Sequence, residues 1–297
     1  MKNKFVRFAL AFFAIFTMTI TGVMANTLEK AKTTGKFTLA YRESSIPFSY
    51  LGEDGKPLGF GWEMCKLIAE EVKKTTGRKD LVVESQAVTS QNRIPLIQNG
   101  TVDVECGSTT NNSERGKQVT FAINYFYTGT RFLVKADSGI KSINDLKGKK
   151  VVSTTGTTNY QILRNLNDEK KYGFELLGAK DHADALLMVE SGMAHAFGMD
   201  DILLYGLKAS SKESAKLAVV GESIQVEPYA IMFRKDDPQF QALVNKVITN
   251  SMKSGEFEKA YKKWFQTNIP PKNVNLNAPM SKELKDNLKN LSDKPAL

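Results

Sequence analysis

With only two cysteines, two histidines and two tryptophans among 297 residues, the chain has little material for several kinds of chemistry. Cys65 and Cys106 stand far apart and neither has the spacing to a histidine that a metal pair requires, so no metal and no cofactor is expected. No G-x-x-x-x-G-K-S/T run is present to cradle a nucleotide's phosphates, and no G-x-S-x-G elbow to expose a nucleophilic serine. Lysine and arginine outnumber the acids 41 to 32. The excess is nevertheless spread through mixed-sign surroundings, and no basic run is interleaved with aromatics, which argues against nucleic acid. Attraction of small anions is the milder consequence.

One long apolar run exists, and it lies at the start. Met1-Lys2-Asn3-Lys4-Phe5-Val6-Arg7 is basic, Phe8 to about Ala25 is apolar, and Val23-Met24-Ala25 supplies small residues at its exit. This is the plan of a secretory signal, expected to span 1–25 and to be cleaved after Ala25. Thr17, Thr19, Thr21 and Gly22 dilute the run, which disfavours a permanent anchor. The leader takes Lys2, Lys4 and Arg7 with it, lowering the net charge from +9 to +6. The exported remainder is expected to be soluble, periplasmic and monomeric. Both cysteines travel with it, so a disulfide is possible in an oxidising compartment. Two buried free thiols would suit the apolar patterns around them equally well.

Strand-like and helix-like stretches alternate through the rest of the chain. Phe37–Tyr41, Leu81–Ser85, Val151–Thr154 and Glu175–Ala179 read as strands. Helical spacing runs from Phe60 to Thr76, with Gly77 as its stop. Ser90 reads as the N-cap of a short helix over Gln91–Gln98. A charged helix near the end, 282–291, is expected to be solvated surface. One plan, a helix ending at Gly and followed at once by a strand, occurs at Ile94–Asp103 and again at Leu186–His195. The pattern predicts an α/β fold with mainly parallel sheets in two lobes, 26–127 with 228–297 and 128–227, joined by extended segments near 126–134 and 224–233.

Three loops carry candidate chemistry. Cys106-Gly107-Ser108-Thr109-Thr110-Asn111-Asn112-Ser113-Glu114-Arg115 follows a strand and packs hydroxyls, main-chain N–H groups and an arginine fork into one turn. Arg93 falls in the first turn of its helix, where the free N–H groups are already positive, so an anion is expected between them. Thr155-Gly156-Thr157-Thr158 opens another helix in the same manner. Taken singly, the first and third are equally well read as an ordinary Ser/Thr turn or cap, and the alternative for Arg93 is a side chain that points away into water.

In combination, the run CGSTTNNSER after Gly100–Asp103, with Thr89-Ser90-Gln91-Asn92-Arg93-Ile94-Pro95 and Tyr41-Arg42-Glu43-Ser44-Ser45, resembles the periplasmic solute-binding proteins of polar amino-acid ABC transporters. Within them it is most similar to the glutamate/aspartate-binding branch. The resemblance implies a two-lobed periplasmic-binding-protein fold (type II) whose two crossover strands form a hinge. It also implies L-glutamate or L-aspartate as ligand and a membrane permease as partner. Arg115 then resembles the clamp for the α-carboxylate, helped by Ser108, Thr110 and Thr158. Asp200 resembles the acceptor of the α-ammonium, although strand alternation leaves Asp201 as a rival. Arg42, Ser90, Arg93 and His182 resemble the pocket for the second carboxylate. A protonated His182 would make affinity fall as pH rises. Two alternatives stay open: a binder of another polar amino acid, and an enzyme, since the resembled fold also hosts periplasmic dehydratases.

Overall fold

A computed structural model describes residues 26–296, so the expected leader, 1–25, lies outside the described residues. A nine-stranded mixed sheet runs through the molecule. At one end, Lys36–Tyr41 lies parallel between Val82–Ala87 and Val104–Glu105. At the other, Lys150–Thr154 lies parallel between Glu175–Ala179 and Ala196–Asp200. Two antiparallel strands, Val119–Lys135 and Val226–Arg234, join these ends, paired from Val119/Arg234 to Gly129/Val226. Beyond that point the longer strand goes on to pair with Ala196–Asp200 and Leu217–Val220.

The parallel pairings fall inside each end and the antiparallel ones at the crossovers. The expected two-lobed α/β arrangement is therefore present, with both crossovers in one ladder. Helices cover the parallel strands, which is why Ala196–Asp200 is buried throughout. The helix Phe60–Thr76 ends at Gly77, whose φ of 68° is the left-handed cap that the glycine made probable.

Phe48 anchors the root of the hinge. Its ring meets Phe126 and Tyr229, one from each crossover strand, at centroid distances of 4.9 and 5.1 Å, and Phe265 at 5.4 Å. Such edge-on pairs each contribute roughly 0.5–1.5 kcal/mol beyond the area they bury. Cys65 and Cys106 form a disulfide with Cα atoms 5.7 Å apart, which resolves the alternative of two free thiols. It fastens the helix Phe60–Thr76 to the first residue of the 106–115 loop.

Two expectations are corrected. The short helix is Arg93–Gln98 with Asn92 at its N-cap position, so Ser90 does not cap it. The C-terminal helix Lys282–Asn290 is not mere solvated surface, because Leu284 and Asn287 are buried. After it the chain bonds to the loop and to the first crossover strand: Ala296 donates its N–H to Asn111 O (2.9 Å) and Asn124 donates its own to Ser292 O (3.0 Å). Among the described residues no helix is long and apolar enough to cross a membrane.

Candidate functional site: an arginine-lined cleft between the lobes

Strand ends from both halves of the sheet deliver the predicted residues to one cleft. Ser90, Arg93, Ser108, Thr110, Thr158, His182 and Asp200 line one narrow cleft, together with Thr157, Asn159, Met199 and Leu203. Arg42 and Arg115 join them through direct contacts to His182 and to the Thr110 carbonyl. A larger, mainly apolar groove lies elsewhere, on the outer face of the first lobe beside Trp62, Leu67 and Val83.

Arg93 starts its helix and is buried, so its side chain does not turn to water. Its Nη1 donates to Thr109 Oγ1 at 2.5 Å, and that hydroxyl donates to Glu105 Oε2 at 2.5 Å. Burial, then the neighbouring Arg115, push its pKa down to about 9, with Glu105 opposing, so the guanidinium remains charged at neutral pH. Arg42 is fully buried and gives Nη2 to Asp181 Oδ2 at 3.3 Å and to His182 Nε2 at 3.4 Å. Its Nε and Nη1, with Arg93 Nε and Ser90 Oγ, are buried without a protein partner. Freed from capping, Ser90 thus presents a hydroxyl beside two guanidinium groups that retain donors to give.

A guanidinium only donates, so His182 Nε2 must accept from Arg42 and Nδ1–H must point at Thr154 Oγ1, 2.8 Å away. Burial, followed by the charge of Arg42, pushes the His182 pKa down to about 3. The imidazole is neutral in this arrangement. This corrects the expectation of a protonated donor and makes His182 a holder of Arg42.

Contacts between the lobes close the cleft. Arg115 Nη1 donates to Thr110 O (3.0 Å) within its own lobe, while Nη2 reaches Gly156 O (3.1 Å) in the other. Asn112 accepts the Arg115 N–H and so caps the short turn that aims this side chain. Gly156 has a φ of 78°, and a Cβ there would lie 2.6 Å from Gln91 Cα, so glycine lets the two backbones meet. Ser44 adds a hydroxyl to Asp181 and accepts the Ala183 N–H at 3.3 Å.

Asp200 ends its strand and Asp201 begins the next helix, and their carboxyls find different partners. Asp200 faces the cleft and accepts from Asn159 Nδ2 (2.8 Å) and the Tyr229 hydroxyl. Asp201 accepts from Thr128 Oγ1 (2.6 Å) on the opposite side. Burial, then Glu227, push the Asp200 pKa up to about 8. The cleft is therefore polarised: Arg42 and Arg93 stand together by His182, while Asp200 stands by Glu227 and Tyr229, with Arg115 the guanidinium that interacts with both acids.

A family model, that of the bacterial extracellular solute-binding proteins, family 3, matches residues 37–267. The chain belongs to this family. Relatives include an L-glutamate/L-aspartate-binding protein of Pseudomonas aeruginosa, 50% identical over 92% of this chain and 91% of its own. A glutamate/aspartate import solute-binding protein of Escherichia coli is 46% identical, over 91% of this chain and 89% of its own. Among solved structures, the ancestral amino acid-binding protein AncCDT-1, a precursor of cyclohexadienyl dehydratase, superposes with a TM-score of 0.69. It is 28% identical and covers 80% of this chain and 99% of its own.

For a family 3 solute-binding protein, the motifs did not name every polar group in the cleft. Asp181, Asn159 and Ser44, the last within one of the motifs, carry no assigned ligand role, and neither do Glu227 and Tyr229 on the second crossover strand. The available hint was Glu227 itself, an acid within the run Val226–Phe233 that is otherwise apolar or aromatic.

Proposed function

We propose that this chain is an exported, periplasmic binding protein that captures L-glutamate or L-aspartate between its lobes and presents it to the permease of an ABC transporter. The lobes we assign are 26–127 with 228–297, and 128–227. One observation carries the reading: buried arginines 42 and 93 keep N–H groups without a protein partner, and Ser90, which lines the same cleft as Arg93, keeps an unpartnered hydroxyl. A buried guanidinium with unbonded N–H groups is costly, and a carboxylate is the group that relieves it. Arg115 then takes the second carboxylate, with Ser108 beside it, and Asp200 takes the ammonium. The relatives' own ligands support the choice of an acidic amino acid.

Binding without turnover is the natural outcome of these contacts. Ser108 Oγ is bonded to Ser45 Oγ at 3.0 Å, and His182 is occupied by Thr154 and Arg42. Neither forms the nucleophile–base pair that acyl chemistry needs. The likeness to a dehydratase precursor keeps the enzyme alternative worth testing in the same experiment. Calorimetry with the mature protein should give heat with glutamate and aspartate and none with glutamine or arginine, and the ligand should be recovered unchanged. Heat with glutamine or arginine alone would refute the acidic pocket, and steady conversion of the ligand would establish an enzyme.

A further inference from the structure

The polarity of two hydroxyls in the cleft is set by a carboxylate behind them. Glu227 is fully buried on the crossover strand Val226–Arg234. Its Oε2 accepts from the Thr110 hydroxyl of the first lobe and from the Thr158 hydroxyl of the second, the latter at 2.5 Å. Gln225 Nε2 donates to Oε1 at 2.7 Å. A threonine hydroxyl has a single proton, and here both protons go to Glu227. Only oxygen lone pairs are left for the cavity that Thr110 and Thr158 line.

The two threonine oxygens are 3.3 Å apart, close enough to serve one shared donor. Asp200 opens onto the same cavity, its carboxyl fixed by Asn159 and Tyr229. The corner is thus built of acceptors. The nearest guanidinium, Arg115, gives one N–H from each Nη to the carbonyls of Thr110 and Gly156 and keeps its other N–H groups for the neighbouring carboxylate. A carboxylate placed there would meet lone pairs and a second negative charge. A group carrying several protons, a primary ammonium, would satisfy every member.

We propose that Glu227 is a specificity-determining positioning residue: by holding the Thr110 and Thr158 hydroxyls as acceptors beside Asp200, it confines the cleft to ligands that carry an ammonium group. The inference rests on the ligand reading above and refines it, because it moves these two hydroxyls from the carboxylate clamp to the ammonium. A dicarboxylate of the same length without an amine would leave the corner unpaired, and a site built to bond a missing group rejects the analogue strongly.

Glutarate is such an analogue, with the carbon chain and both carboxylates of glutamate and no amine. Calorimetry would compare L-glutamate and glutarate on the wild-type chain, Glu227→Gln and Thr158→Val. The proposal expects Glu227→Gln to bind glutamate at least about tenfold more weakly and to lose at least about tenfold of the preference for glutamate over glutarate. Thr158→Val, whose changed side chain is only half-buried, guards against a misfolded Glu227 variant. It should weaken glutamate while leaving glutarate unchanged or stronger. Equal losses for both ligands in either variant would make the hydroxyls carboxylate donors and overturn the proposal. Equal gains for both in Glu227→Gln would overturn it too, showing Glu227 to compete with ligand carboxylates. Wild-type protein that binds no glutamate would refute the ligand reading itself, and this inference with it.

Discussion

Arg115 and Arg93 are both buried guanidinium groups in one cleft, yet their substitution should produce different losses. Arg115→Ala removes the group proposed to hold the carboxylate common to all amino acids. Every α-amino acid that binds should weaken by about 2–5 kcal/mol, the cost of truncating one partner of a buried charged pair. Arg93→Met removes only a contact to the second carboxylate, so glutamate and aspartate should suffer most. An Arg93→Met variant that keeps the wild-type affinity for glutamate and aspartate would refute that division. Asp200 gives a pH signature. Its carboxyl, pushed up to about 8 with the cleft unfilled, must ionise to pair with an ammonium, so its pKa falls on binding. Affinity should therefore rise with pH up to about 8 and then level off. A charged His182 would give the opposite slope, but at about 3 it lies below the range. Titration calorimetry from about pH 5.5 to about pH 8.5 separates the two. The same shift has a consequence for the ligand-free fold. A carboxyl whose folded pKa is raised loses stability as pH climbs from its unfolded value near 4 toward about 8. Asp200→Asn should flatten that decline while abolishing amino-acid binding.

At the scale of elements, local chemistry was legible and partnership was not. Six residues in three short motifs, with Thr158, His182 and Asp200 outside them, meet in one cleft, because each sits near a strand or helix end that its own neighbours specify. Glu227 escaped notice because its burial comes from partners 117 and 69 residues away, Thr110 and Thr158. The same holds for the C-terminal helix. Its charged sequence reads as surface, while the face with Leu284 and Asn287 is buried by chain far upstream, Asn287 Nδ2 donating to Asn124 O at 2.6 Å. Ser90 was misplaced for the converse reason: a serine before a helix is normally its cap, but here Asn92 holds that place without a side-chain bond. Leu284→Ala should cost about 2–5 kcal/mol of unfolding free energy, measured in urea. A cost below about 0.5 kcal/mol would restore the helix to the solvated surface. The disulfide closes a separation of 41 residues, and replacing both cysteines by alanine should cost about 4 kcal/mol on the chain-entropy argument. Because Cys106 begins the loop that carries Ser108, Thr110 and Arg115, that double variant should also bind glutamate more weakly than its stability alone dictates.

For the whole molecule, the contacts that cross the cleft define the mechanism. Arg115 to Gly156, Arg42 to Asp181 and Thr110 to Thr158 form only when the lobes meet. Both lobes hang from one ladder, Val119–Lys135 against Val226–Arg234, whose register shifts around Ala230 give the hinge an irregular point. A ligand that satisfies the arginines of the first lobe and Asp200 of the second favours the closed form by the difference in its contacts, and closure then strengthens those contacts by excluding water. The closed outer surface is what a permease would distinguish from the open one. Capture of an acidic amino acid by lobe closure is tested most directly by small-angle scattering of the mature protein, titrated with L-glutamate and, in parallel, with L-glutamine. The radius of gyration should fall and saturate with glutamate and stay constant with glutamine. A radius unchanged by glutamate at saturating concentration, or one that falls equally with glutamine, would contradict the account.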